Sequence, residues 1–180
     1  MSKAKTPPAS KPAAMTDKEL AARNDAALAR VAEMDDVDKL RNLMANADRM
    51  GVAPVRDAAF RRLALVQTEG EPGTIEHDTL QTIHAYEQLV REELGKSKRL
   101  TRTRMKLTKS GAANALADLP ATTADYAAFE TLKARGLDDL TGEAVILRHP
   151  DAFDAETRDA AQARLDAEPV VAEPLEDASA

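Results

Sequence analysis

Residues 74–95 read TIEHDTLQTIHAYEQLVREELG, and their pattern decides the class of the fold. Leu80, Ile83, Tyr86, Leu89, Val90 and Leu94 recur mainly at spacings of three and four, the period of one face of an α-helix rather than the alternation of a strand. Thr74 stands where an N-cap hydroxyl accepts a backbone N–H, and Gly95 supplies a left-handed residue just past the end. The spacing predicts the longest helix of the chain.

The same signals repeat on either side. Thr16-Asp17-Lys18-Glu19 has the form of a capping box and predicts a helix to about Met34, with Leu20, Ala27, Leu28 and Val31 inward. Asp36 caps a second helix with Val37, Leu40, Leu43, Met44 and Ala47 inward, and Gly51 stops it. Pro54 suits the first turn of a third, where its missing N–H is no loss; Val55, Ala59, Leu63 and Val66 form its stripe. Downstream, a short helix within residues 96–109 breaks at Gly111, and another covers residues 112–119. Thr123 caps a segment with Tyr126, Phe129 and Leu132 that stops at Gly136. Thr141 opens a helix ending near His149, because the residue before Pro150 is biased out of helical geometry, and Asp154 caps the last one, with Ala161 and Leu165 inward.

No alternating segment and no fixed-period repeat competes with this reading. The fold class expected is all-α, an irregular bundle of about eight short helices. Composition agrees: 43% of residues are apolar but only 3% aromatic, with no Trp, so aliphatic side chains build the core. We expect one helical domain over residues 16–167, flanked by a disordered basic arm (1–15) and a disordered acidic tail (168–180). Cysteine is absent, which excludes disulfides and thiolate metal sites, and no apolar run is long enough for a signal peptide or a membrane span. A cytoplasmic location without membrane association is the expectation.

Within a chain of net charge −6, residues 96–109 (KSKRLTRTRMKLTK) carry Lys96, Lys98, Arg99, Arg102, Arg104, Lys106 and Lys109 without one acid. Guanidinium forks suit phosphate oxygens, and Thr101, Thr103, Thr108 and Ser110 add hydroxyls that reach them too. No aromatic residue is interleaved for base stacking, so contact with the phosphate backbone is expected over base reading. The competing reading is a solvated helical face that offsets acids elsewhere. A helix-turn-helix over residues 100–116, turning at Ser110 and Gly111, is a weaker variant of the binding reading.

Glu76-His77-Asp78 and His84 form the other cluster with chemical potential. Zinc-binding hydrolase helices place histidines at i and i+4 with a glutamate between, and that arrangement is missing. His-Asp phosphohydrolases need further ligands, for which this chain offers His149 alone. Capping and packing account better for Glu76 and Asp78, which face the positive end of the helix dipole, and Arg148 and His149 read as capping charges at a helix C-terminus. No phosphate-binding glycine loop or nucleophile elbow is present, and the sequence implies no catalytic residue, metal or cofactor.

Glu76-His77-Asp78, Ala85-Tyr86-Glu87, Thr101-Arg102-Thr103-Arg104-Met105-Lys106 and Arg148-His149-Pro150 together resemble motifs of a group of uncharacterised bacterial all-helical proteins without an established activity. The resemblance covers residues 75–165 and implies a helical fold but no function. Thr79 departs from it, standing where an aromatic is expected. The functional expectation is a non-enzymatic nucleic-acid-associated accessory or regulatory protein using residues 96–109. The alternative is a protein-interaction module, an adaptor or inhibitor, presenting the same segment to an acidic partner.

Overall fold

The computed structural model describes residues 16–95, 97, 99–117 and 126–168, and every regular element among them is helical. The elements are α1 (Asp17–Ala32), α2 (Val37–Arg49), α3 (Ala53–Val66), α4 (Ile75–Leu94), α5 (Thr101–Ala117), α6 (Tyr126–Ala134), α7 (Gly142–Arg148) and α8 (Ala155–Asp166). One-turn 3-10 helices at Asp138–Leu140 and Pro150–Ala152 lead into and out of α7. The arm and most of the tail expected from the sequence, together with Thr123, Lys96 and Lys98, lie outside the described residues.

The helix starts follow from capping chemistry. Glu19 N–H bonds to Thr16 Oγ1 (3.3 Å) while Thr16 N–H bonds back to the Glu19 carboxylate (2.8 Å), closing the capping box. Asp36 accepts two backbone N–H groups of α2, and Thr74, Thr141 and Asp154 each accept one at the starts of α4, α7 and α8. Among the described residues Gly111 is the one break inside a helix. At φ 78°, ψ 166° it turns the chain between a cationic half of α5 and a half whose Ala112, Ala115 and Leu116 are buried.

Two apolar clusters form the core. The larger gathers Leu40 and Met44 of α2, Phe60 and Leu63 of α3, Ala85, Tyr86 and Leu89 of α4, and Leu132 of α6. The smaller joins Leu116, Val145, Ile146 and Ala161 from α5, α7 and α8, with Ile75 and Phe153 against it. Helix α4 contributes Ala85, Tyr86 and Leu89 to the larger cluster and rests Ile75 against the smaller, and it packs on α3, α5, α6 and α7. Its 20 residues make it the longest helix, and it is enclosed on more than one face: Thr79, Thr82 and Gln88 are buried along with Ile83 and Leu89. A helix hidden almost all round needs short or hydrogen-bonded polar residues where an amphipathic one would show charges. Thr79 satisfies this by donating its hydroxyl to Ile75 O at 2.7 Å.

Two sequence expectations shift. Leu20 is 39% exposed rather than inward, because α1 rests chiefly on α3 and buries only Val31 fully. The stripe read for α3 omits Phe60 and Ala64, both buried: α3 is covered by α1, α2 and α4 and so buries a broader arc than one stripe.

Candidate functional site

The cationic half of α5 is fixed to the protein through one carboxylate. Glu87, projecting from α4, accepts Arg104 Nε at 2.9 Å on Oε1 and Arg104 Nη2 at 2.8 Å on Oε2, a two-pronged pair with both side chains less than a fifth exposed. The same Oε1 accepts the backbone N–H of Leu100 at 2.8 Å, just before α5 begins. Glu87 thus supplies, from another helix, the acceptor that a local capping side chain gives elsewhere in the chain. Burial opposes its ionisation, but the Arg104 and Leu100 hydrogen bonds prevail and hold its carboxyl below the usual glutamate range.

This places the basic residues in different settings. Arg104 points inward, neutralised by Glu87, with Nη2 3.4 Å from His84 Nδ1. Arg99, Arg102 and Lys109 are exposed and have no carboxylate partner among the described residues; Lys106 is half-buried. Arg102 and Lys109 are seven residues apart, two helical turns, and share a side of α5. Two of the hydroxyls expected to supplement them are turned onto backbone: Thr108 Oγ1 donates to Arg104 O at 3.0 Å and Thr101 Oγ1 to Arg99 O at 3.4 Å. Met105, 49% exposed, stands beside a shallow recess of about 320 Å³ formed by Arg99, Thr101, Arg104, Thr108 and Lys109.

Behind α5 lies a polar cleft made of two recesses that share Gln67, His84, Glu87 and Arg99. One, of about 180 Å³, adds Arg41, Gln88, Arg91 and Ser97; the other, of about 330 Å³, adds Glu69, Leu80 and Arg104. Arg41 donates to Gln67 Oε1 (3.2 Å) and Arg91 to Ser97 Oγ (2.6 Å). Burial first, then the Arg104 guanidinium, push the His84 imidazole below the usual histidine range, so its neutral form is favoured.

The second cluster separates from the first. His77 Nδ1 lies 3.4 Å from Asp78 Oδ1, His149 Nε2 lies 3.0 Å from Asp78 Oδ2, and Arg148 Nε approaches the same oxygen at 3.2 Å. Arg148 and His149 therefore clasp the first turn of α4, and Arg148 Nη1 also reaches Asp139 O (3.1 Å), rather than serving as charges for the end of their own helix. Burial of Asp78 works against its charge, but the His149 bond, Arg148 and His77 outweigh it and lower its carboxyl. His84 belongs to the α5 cleft and takes no part in this clasp. Among the described residues no three His, Asp or Glu side chains converge as a metal site requires, and no helix is long and apolar enough to cross a membrane.

Sequence spacing could not disclose the Glu87–Arg104 pair, whose members are 17 residues apart, or the Asp78–His149 contact across 71 residues. The one available signal was Glu87 itself, an acid on the side of α4 that the apolar period leaves next to His84. No family model matches this sequence, and neither a curated protein nor a solved structure matches it.

Proposed function

We propose that this is a non-enzymatic, nucleic-acid-associated accessory or regulatory protein that contacts phosphates through the outward cations of α5 and the loop before it. The observation that carries the reading is the division of labour within the basic segment: Arg104 anchors α5 to Glu87, while Arg99, Arg102 and Lys109 stand in solvent without carboxylate partners among the described residues. A helix held rigidly from behind presents such charges without ordering them at the moment of binding. With no aromatic side chain in the segment, affinity rests on counterion release, and sequence preference is weak.

The test is a fluorescence-anisotropy titration with duplex and single-stranded DNA and RNA over a range of salt. Binding should weaken as salt rises, and Arg102→Ala/Lys109→Ala should lower the log–log slope by about 2 while leaving stability unchanged. Absence of binding at low salt removes the reading. Arg104 is left untouched because its loss would loosen the helix that carries the surface.

A second reading has its own support. Met105, an exposed apolar side chain set among cations beside a shallow recess, is the kind of anchor an acidic protein partner uses. Met105→Glu separates the two: it abolishes capture of a protein partner, whereas against nucleic acid it acts as one added negative charge and weakens binding modestly.

A further inference from the structure

We propose that the cleft behind α5 binds a phosphomonoester, with Arg91 and Arg99 gripping the phosphoryl oxygens and His84 at its wall. Gly95, at φ 65°, turns the chain just beyond α4, and Arg91, Ser97 and Arg99 line one recess, with Arg91 Nη1 donating to Ser97 Oγ. Neither arginine is paired with a carboxylate among the described residues. The cleft's other two guanidiniums are already engaged, Arg104 by Glu87 and Arg41 by Gln67 and by Asp38 at 3.5 Å. The Gln67 and Gln88 amides already donate to Leu63 O and Glu92, so the donors the recess offers an anion are the two uncompensated guanidiniums and the Ser97 hydroxyl.

The chemistry favours phosphate over carboxylate. A monoester carries up to two charges and three terminal acceptor oxygens, matching two forked donors and a hydroxyl, whereas a carboxylate offers one charge and two oxygens. The adjoining recess, about 330 Å³ with Leu80 in its wall, reaches the range of small-ligand clefts, roughly 300 Å³ upward, and leaves room for the group that carries the phosphate. The end of a nucleic-acid strand lying along α5, which shares Arg99, and a free nucleotide offer the same phosphate chemistry.

The probes are a nucleoside 5′-monophosphate against its nucleoside, and one oligonucleotide with a 5′-phosphate against its 5′-hydroxyl form. Side-chain NMR reads the three histidines separately, with His77 and His149 as internal references. The monophosphate should move the His84 signals and leave those of His149 in place, the nucleoside should move neither, and Arg91→Gln/Arg99→Gln should weaken binding about ten-fold or more. Both arginines are exposed and outside the Glu87–Arg104 pair, and the wild-type titration decides the matter even if that variant folds poorly. Tighter binding of the 5′-phosphorylated strand, lost in the variant, identifies a strand end as the source; a response to the monophosphate alone identifies a free nucleotide. If neither phosphorylated probe perturbs His84, or the variant binds as the wild type does, the proposal is overturned, even where salt-dependent strand binding through Arg102 and Lys109 persists. If the monophosphate binds and no strand does, the cleft stands and the nucleic-acid reading falls.

Discussion

Glu87 and Arg104 meet across the α4–α5 boundary as a two-pronged ion pair, and the carboxylate that holds the guanidinium also accepts the Leu100 N–H. Removing either partner leaves a largely buried group short of hydrogen bonds, at about 1.5–3 kcal/mol. The two sides are not equivalent. Arg104→Ala leaves Glu87 with its Leu100 donor, whereas Glu87→Ala strands both Arg104 and Leu100. Urea unfolding should therefore place Glu87→Ala below Arg104→Ala, and a double-mutant cycle should return a clear coupling energy. Equal losses and no coupling would show that the pair does not hold α5.

Gly111 and Gly51 both have positive φ, but their conformations differ. Gly51, at φ 68° after α2, lies at the left-handed helix stop that Asn tolerates, while Gly111, with ψ near 166°, occupies a region open essentially to glycine alone. A Cβ would touch nothing within 4 Å at either site, so the penalty is purely one of backbone conformation. We expect Gly51→Asn to be nearly neutral and Gly111→Asn to cost about 1–3 kcal/mol, read as a difference in thermal midpoint between the two variants.

His84, Glu87 and Asp78 all have lowered pKa values in the fold, so each binds its proton more readily once the chain unfolds. Their contributions are complete above the unfolded-state values and are lost as pH falls through the folded-state ones. His84 acts first, in the mildly acidic range below an ordinary histidine's pKa of about 6.5; the carboxylates follow at lower pH. Between about pH 7.5 and 5.5, unfolding free energy should drop less in His84→Gln than in the wild type. An identical slope for the two proteins would exclude His84 as the origin of the loss.

Arg135, just past α6, ties α3 to α4 at the edge of the larger cluster. Its guanidinium lies 4.7 Å from the Phe60 ring centroid and pairs with Glu92 at 2.8 Å and Asp57 at 3.3 Å. Lysine keeps the charge but has neither the planar face nor two forks. Arg135→Lys should lower stability by about 1–2 kcal/mol in chemical denaturation, despite its nominal conservatism.

Much of the fold was legible where the physics is local. The capping roles of Thr16, Asp36, Thr74 and Asp154, the helix start at Thr141 and the break at Gly111 depend on a few consecutive residues and appear as read. Leu20 and Phe60 were misjudged because burial depends on which neighbours cover a helix, and α1 has fewer than α3. For the candidate site, sequence located the cationic segment but treated its members alike. Only the tertiary structure separates Arg104, held by an acid from another helix, from Arg102 and Lys109. The cleft was invisible for the same reason, being assembled from α2, the end of α3, α4 and the loop before α5.

One rod of twenty residues runs through the larger apolar cluster and touches the smaller with its first residue, Ile75. Loss of α4 would open the larger cluster and remove the Ile75 contact from the smaller, so the folded body should melt as a single cooperative unit. The amides in the middle of α4 should accordingly be among the slowest to exchange with solvent deuterium, releasing their protons only through global opening.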